Sequence, residues 1–540
     1  MNSPALHHLG GLDVLVLLVY LVGIAALTLG VSKRNRTTED YFVAGRSMPA
    51  WAVALAMMAA LISSNTLVAH PATVYQKGMI LLLGSLTLPL VLIVVARYIV
   101  PFYRNVVGMS AYEYLGARFG MGGRLYASAC FVADRLFDVG VTILTTAIPI
   151  NVMTGWDLTT VILGLSIFTI IYTMIGGMEA VVWTSVAQGA VFIAAAFVLV
   201  ARLVFAPEVG APGSVIASAW SAGKFQLGSF ELSWRSLSDP VVTTQWLFIL
   251  AYAANWARRY IADQHMVQRY LIAKTDRDAS RAALWNGLVC VPVWFVFMFI
   301  GACLFGYYQL SGEPAPSPTD NVVPVFILAH LPTGLVGALL AAILAASMSS
   351  ISPDLNSVAT VLTADHLNYF FPGLSDRVQL FLGRAMVAVG GTLATMVALL
   401  MVPKSGAASI MERGVTVAAV LSGGMLGLFF LGFLTRRATR TGCYAGIAAC
   451  LIFTSWGILT EPTNRYLDLG FNFNLNPILI GLFGHVILFV VGYLVSLLFG
   501  GFRPANVDQF TFRRKSVARA ESVAPAAAAS AAEPNLLRTP

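Results

Sequence analysis

Between residues 11 and 499 the chain repeats one pattern: an apolar stretch about as long as a bilayer is thick, then a short polar or basic loop. A helix needs roughly 20 apolar residues to cross the hydrocarbon core. By that measure the candidate spans are 11–32, 49–74, 79–100, 123–152, 156–176, 181–204, 242–260, 282–307, 323–365, 379–402, 412–434, 441–460 and 475–499. Such a chain has no route to ordinary soluble domains. It is 58% hydrophobic and only 11% charged, against about 25% charged residues in soluble proteins. The expected fold class is an all-α integral membrane protein of thirteen helices in one bundle. Collagen, coiled-coil and secreted disulfide architectures are excluded.

The net charge of +8 comes mostly from short loops, where topology explains it better than nucleic-acid binding does. With the N-terminus outside, the inner loops hold most of the 33 Lys and Arg residues, including Lys33 to Arg46, Arg97 to Arg124, Arg258 to Arg281 and Arg436 to Arg440. Thirteen is odd, so N-out implies C-in. The membrane domain is expected over 1–504, followed by a cytoplasmic tail at 505–540. From Ser516 the tail is rich in Ala, Ser, Pro and Glu, a composition of disorder. No cleavable signal peptide is expected, since the N-terminus lacks Lys and Arg and its first apolar run is long enough to span. Cys130, Cys290, Cys303, Cys443 and Cys450 form no C-x-x-C pair and so offer no metal or redox motif.

Two runs stand apart. The 49–74 run is interrupted by Ser63, Ser64, Asn65 and Thr66. The 242–260 run is short and ends in Asn255, Trp256, Arg258 and Arg259. Unpaired backbone in hydrocarbon is costly, so a broken helix persists only where protein or a water-filled cavity surrounds it. Two broken spans in corresponding places indicate a transporter with inverted repeats and a midplane binding site. The repeats would cover about 49–204 and 242–434. Span 11–32 would precede them, and spans 441–460 and 475–499 would follow. The plainer reading of the serines is helix packing by small polar residues.

Five strings carry a resemblance: DYFVAGRSMPAW at 40–51, IYTMIGGMEAVVWTSVAQ at 171–188, DQHMVQRYL at 263–271, AAILAASMSSISPDLNS at 341–357 and GGMLGLFFLG at 423–432. In this order, over about 13–500, they resemble the sodium:solute symporter family of sodium/galactose, sodium/proline and sodium/sialic acid transporters. The resemblance implies a LeuT-type fold of two inverted five-helix repeats. It also implies Na+ as coupling ion, bound by the carbonyls of Ala59, Ile62 and Ala346 and the hydroxyls of Ser349 and Ser350. Taken alone, the two serines read equally as packing residues.

The departures matter as well. Ser185 stands where the family commonly has Asp, and Pro353 follows Ser352 where a second sodium would need another hydroxyl. A second site of the kind some sialic acid transporters carry therefore looks damaged. Asp354 either restores a charge there or caps a kink at Pro353. Sugar-binding members carry Asn, Glu and Gln where this chain has Leu61, Asn65 and Thr66, and Trp and Tyr where it has Tyr260 and Arg259. Sialic acid members carry hydroxyls matching Leu61, Ser63 and Thr66, so two of three are kept, and the AIP run at 147–149 looks like theirs. Their carboxylate-binding Arg falls near Thr142.

The candidate solute-binding residues are Ser63, Ser64, Asn65, Thr66, Ser85, Thr87, Arg135, Asn255, Trp256 and Tyr260. Arg135 is either an anion-recognising group, as an intramembrane Arg is by default, or the partner of Asp134 and Asp138. Trp256 is either packing or a stacking platform. His70, His265 and His330 lack metal-ligand spacing. The expectation is a multi-pass plasma-membrane protein, in a bacterial inner membrane, and not an enzyme. It would import a small polar solute (sugar, sialic acid, carboxylate or amino acid) with sodium by alternating access. A proton-coupled or uncoupled transporter of the same fold, and a non-transporting sensor, are the rivals. No oligomeric state follows from the residues.

Overall fold

The computed structural model describes residues 9–238, 244–402, 424–462 and 465–512, with the backbone alone for Asn65. The regular structure of these residues is helical. Helix α1 (Gly11–Ser32) presents Leu12, Leu15, Leu18, Val19 and Val22 outward, each more than half exposed, as a lipid-facing helix does. The 49–74 run forms two helices, α2 (Ala50–Leu61) and α3 (Ser64–Lys77), with extended backbone at Ile62 and Ser63 between them. The pair bends by 54°. Then come α4 (Leu82–Val106) and α5 (Met121–Thr154).

Helix α6 (Leu158–Val204) has 47 residues, about 70 Å at 1.5 Å per residue and twice a bilayer core. Gly177 breaks it with φ 63° and ψ −175°, a conformation that only glycine adopts freely. A Cβ there would lie 2.8 Å from both Asn35 Nδ2 and the Tyr41 ring. The break falls between the expected runs 156–176 and 181–204.

The second half holds α7 (Gln245–Ile261), α8 (Gln264–Ile272), α9 (Asp276–Ser311), α10 (Val322–His330), α11 (Leu335–Val361) and α12 (Asp376–Leu400). After these come α13 (Met425–Leu434), α14 (Arg440–Thr460) and α15 (Ile478–Phe499). Among the described residues nine helices are long and apolar enough to span, and α2 with α3 makes a tenth.

Three runs differ from their sequence-based limits. The 242–260 run is unbroken from Gln245 to Ile261, and its interruption comes just after, at Ala262 and Asp263. There the Asp263 carboxylate accepts from the His265 N–H at 2.9 Å and starts α8. The 323–365 run divides into α10 and α11, because Pro332 lacks a donor and Gly334 turns the chain at φ 90°. The 412–434 run is seen only as α13. Its residues up to 423, like 513–540 of the tail, lie outside the described residues.

Helix α11 runs through the middle and is buried from Leu339 to Val361. Its Ala and Ser residues let α2, α5 and α6 approach closely. Helix α9 packs along both halves of the broken span. At that crossing, a Cβ on Gly301 would meet the Pro71 carbonyl oxygen at 2.4 Å. Backbone does not yield as a side chain does. Gly301→Ala is therefore expected to destabilise by about 1–3 kcal/mol, the usual overpacking cost. A melting temperature in detergent equal to the parent's would show that the crossing has slack.

Candidate functional site

The break in the second span frees carbonyls. Ile62 N–H still bonds Met58 at 3.1 Å, but beyond it the helix stops, leaving the last carbonyls of α2 without helical donors. Helix α11 faces them. Ser349 Oγ lies 2.9 Å from the Ala59 carbonyl and 3.0 Å from that of Ala346. Ser350 Oγ lies 3.2 Å from the Ala60 carbonyl and 3.3 Å from that of Ala346.

Met58, Ala59, Ile62, Gly189, Phe192, Ala346 and Ser349 line one small cavity. Gly189 of α6 closes its wall, since even a Cβ there would come within 3.1 Å of the Met58 methyl. Four of the five residues named as sodium ligands line this cavity, and Ser350 sits beside them. Ala60 was not among the named residues. It is the next carbonyl on the same unwinding turn, and only the partner of Ser350 reveals it.

The donor set is neutral oxygen: backbone carbonyls and hydroxyls, with apolar walls. That chemistry suits a hard monovalent cation. Ser185, where a carboxylate could have stood, is fully buried on α6, and its hydroxyl has no partner among the described residues. The Asp354 carboxylate is engaged with other groups. It meets His265 Nδ1 of α8 and lies 3.5 Å from Arg135 Nη1 of α5.

The solute candidates are scattered more widely. Ser63 sits half-buried at the break. Ser64 Oγ accepts from Thr146 Oγ1 at 2.8 Å and lies 3.4 Å from Thr145 Oγ1. Thr66 is buried, and its N–H closes onto the Ser63 carbonyl at 2.9 Å. The Asn65 side chain lies outside the described residues. Thr145 and Thr146 of α5 were missed, because threonines in an apolar run carry no distinguishing signal.

Ser85 Oγ donates to Leu81 at 3.0 Å and Thr87 Oγ1 to Gly84 at 2.6 Å, so both hydroxyls turn back to nearby carbonyls of their own span. Tyr260 is fully buried, its hydroxyl on Asn286 Oδ1. Trp256 stacks on Trp294 with ring centroids 5.2 Å apart. Asn255 is exposed and accepts from Arg258 Nη2 at 3.4 Å.

Arg135 is only 2% exposed. It reaches Asp134 at 2.7 Å, Asp138 at 2.9 Å, Asp354 at 3.5 Å and Asp263 at 3.9 Å. Arg258 adds a second contact to Asp134 at 3.1 Å, and Arg259 one to Asp138 at 3.4 Å. Both Nη atoms of Arg135 bond protein carboxylates, while its Nε makes no hydrogen bond and has Asp263 at 3.9 Å; the two Nη bonds support the pairing reading over anion recognition.

A bent span with freed carbonyls against a buried serine helix is an arrangement suited to holding a cation inside a membrane bundle. Residues 41–449 match the sodium:solute symporter family, and the chain belongs to it. It is 28% identical to a sodium/sialic acid symporter of Proteus mirabilis over 93% of this chain and 98% of that one. It is also 27% identical to human sodium-coupled monocarboxylate transporter 1 over 78% and 68%. The solved substrate-bound, outward-open structure of a Na+-coupled sialic acid symporter superposes with a TM-score of 0.81. That match is at 27% identity, covering 91% of this chain and 99% of the other. A nucleobase-cation-symport-1 family transporter shares the fold at a TM-score of 0.58 and 14% identity, over 88% and 98%. The protein is a multi-pass membrane symporter that uses Na+ as coupling ion, in a family of transporters and not of enzymes.

Proposed function

We propose that this chain imports a small polar organic solute with one sodium ion, bound by Ala59, Ile62, Ala346, Ser349 and Ser350 with the Ala60 carbonyl close by. The observation that carries this is the meeting of the broken span with α11, where the Ser349 and Ser350 hydroxyls face the Ala59, Ala60 and Ala346 carbonyls within 3.3 Å. The solute binds on the solvent side of the break, beside Ser63, Ser64 and Thr66 and across from Thr145 and Thr146. Its relatives include a sodium/sialic acid symporter and a sodium-coupled monocarboxylate transporter, so sialic acids and monocarboxylates come first in a screen, followed by sugars and amino acids.

The bundle is read as LeuT-type, with thirteen spans, N-out and C-in. Repeats over about 49–204 and 242–434 make up most of a membrane domain at 1–504, and 505–540 form a cytoplasmic tail. Basic loops at one end support that orientation in a bacterial inner membrane.

Stoichiometry follows by subtraction. A second cation near α6 would need a carboxylate, and Ser185 and Pro353 supply none. Asp354 is engaged with His265 of α8 and Arg135 of α5. Purified protein in liposomes should take up solute with a Hill coefficient for sodium near 1, and sodium binding by Asp354→Asn should keep that value. A coefficient near 2 that drops to 1 in Asp354→Asn would reinstate a second site at this acid. Uptake indifferent to sodium would remove the coupling reading altogether.

A further inference from the structure

Below the sodium cavity, toward the basic end of the bundle, three elements meet through buried charge. Helix α5 contributes Asp134, Arg135 and Asp138. The α7–α8 segment contributes Arg258, Arg259, Asp263, His265 and Arg269, and α11 contributes Asp354. Arg135 and His265 both meet the Asp354 carboxylate, so one acid on α11 ties α5 to α8. Beside it, Gln268 Nε2 donates to Asn356 Oδ1 at 2.9 Å and Thr360 Oγ1 at 3.0 Å, which lays α8 along α11. These contacts draw α5, α8 and α11 together at the basic end.

Asp354 lies one turn after Ser350 on the same helix, so the two side chains share a face. Between them stands Pro353. It has no N–H for the Ser349 carbonyl, and α11 can hinge there. The course of α11 through this hinge is set by what holds it on each side. Above, Ser349 and Ser350 hold it against α2. Below, Asp354 holds it against α5 and α8.

We propose that this α5–α8–α11 contact is the seal at the basic end and that Asp354 is the positioning residue that links sodium occupancy to it. This rests on the sodium site described under the proposed function. A cation taking ligands from both α2 and α11 fixes the segment above the hinge, and that alignment keeps Asp354 within reach of Arg135 and His265. When the ion leaves, α11 is free to swing at Pro353. Asp354 then withdraws, and the α5–α8 contact loses its common acid. An element with two arrangements, biased by the ion at one end and by the seal at the other, is what coupling physically requires.

The test needs no solute. Purified full-length protein is compared in NaCl and in KCl of equal concentration by hydrogen–deuterium exchange. Peptides covering 58–64 report ion binding, and peptides covering 264–272 report the seal. In the parent protein sodium should slow exchange in both, by roughly 5- to 150-fold at the seal if the coupling is of ordinary size. In Asp354→Asn the slowing at 58–64 should persist while that at 264–272 disappears, and Asp354→Glu should restore part of it. His265→Asn, which leaves every carboxylate and guanidinium in place, should reduce the effect at 264–272 alone.

Slowing at 58–64 without any at 264–272 in the parent overturns the link, with no variant needed. So does slowing at 264–272 that survives Asp354→Asn. If sodium changes neither segment in the parent, the sodium site itself fails and takes the link with it, a result distinct from the other two.

Discussion

Arg135→Gln should lose about 3–5 kcal/mol of stability, the range for removing one partner from a buried ion pair. Arg135, Arg258 and Arg259 pair here with Asp134, Asp263 and Asp354 in the interior and with Asp138 at its solvated edge. Arg135 is the hub, touching Asp134, Asp138 and Asp354 within 3.5 Å. Glutamine keeps much of the shape but removes the charge. Asp134 and Asp263, at most 2% exposed, then lose a cation where water cannot replace it.

Asp138→Asn should be milder, because the Asp138 side chain is 41% exposed and already partly solvated. The measurement is a detergent melting curve with size-exclusion profile for the two variants. A well-folded Arg135→Gln protein that binds sodium but no solute would reverse the assignment and make Arg135 an anion-recognising group after all.

The parts that sequence reached and the parts it missed divide on physical grounds. The apolar runs were readable because lipid leaves a helix no partner but itself, so length and hydropathy carry the signal. The break at Ile62 and Ser63 was readable for the same reason, since Ser63 to Thr66 are out of place at mid-span. Helix α8 was not readable as part of the bundle. Its Gln, His and Arg residues look like loop, yet all nine residues from Gln264 to Ile272 are buried. Their partners lie on distant segments: Gln268 on the Phe42 carbonyl and Asn356, Gln264 on the Ala111 N–H and the Met109 carbonyl.

The charged cluster shows the same division. The Arg135–Asp138 contact is local, three residues apart on one helix, and spacing suggested it. Asp263, Asp354 and Arg258 come from other helices, and only the packing brings them in. Hydroxyls were the weakest signal. Ser85 and Thr87 lie in the same kind of apolar run as Ser349 and Ser350. A serine can satisfy its own helix or face across to another, and composition does not distinguish the two.

For Ser349 and Ser350 that choice has a measurable consequence. Ser349→Ala and Ser350→Ala should each raise the sodium concentration for half-maximal uptake by about 10- to 100-fold, as expected for losing one ligand to a charged group at about 1.5–3 kcal/mol. Ser349 should show the larger effect. It lines the cavity directly and sits closer to the α2 carbonyls, at 2.9 Å against 3.2 Å for Ser350. Folding stability without sodium should change little, because in that state each hydroxyl makes only neutral hydrogen bonds to carbonyls, worth about 1 kcal/mol net. The variants should therefore differ from the parent mainly in the sodium-induced rise of melting temperature. Helix packing alone predicts the opposite pattern: lower melting temperatures in both salts and an unchanged response to sodium. If both variants keep the parent's sodium dependence, the serines are packing residues, and the ion must be held elsewhere along the broken span.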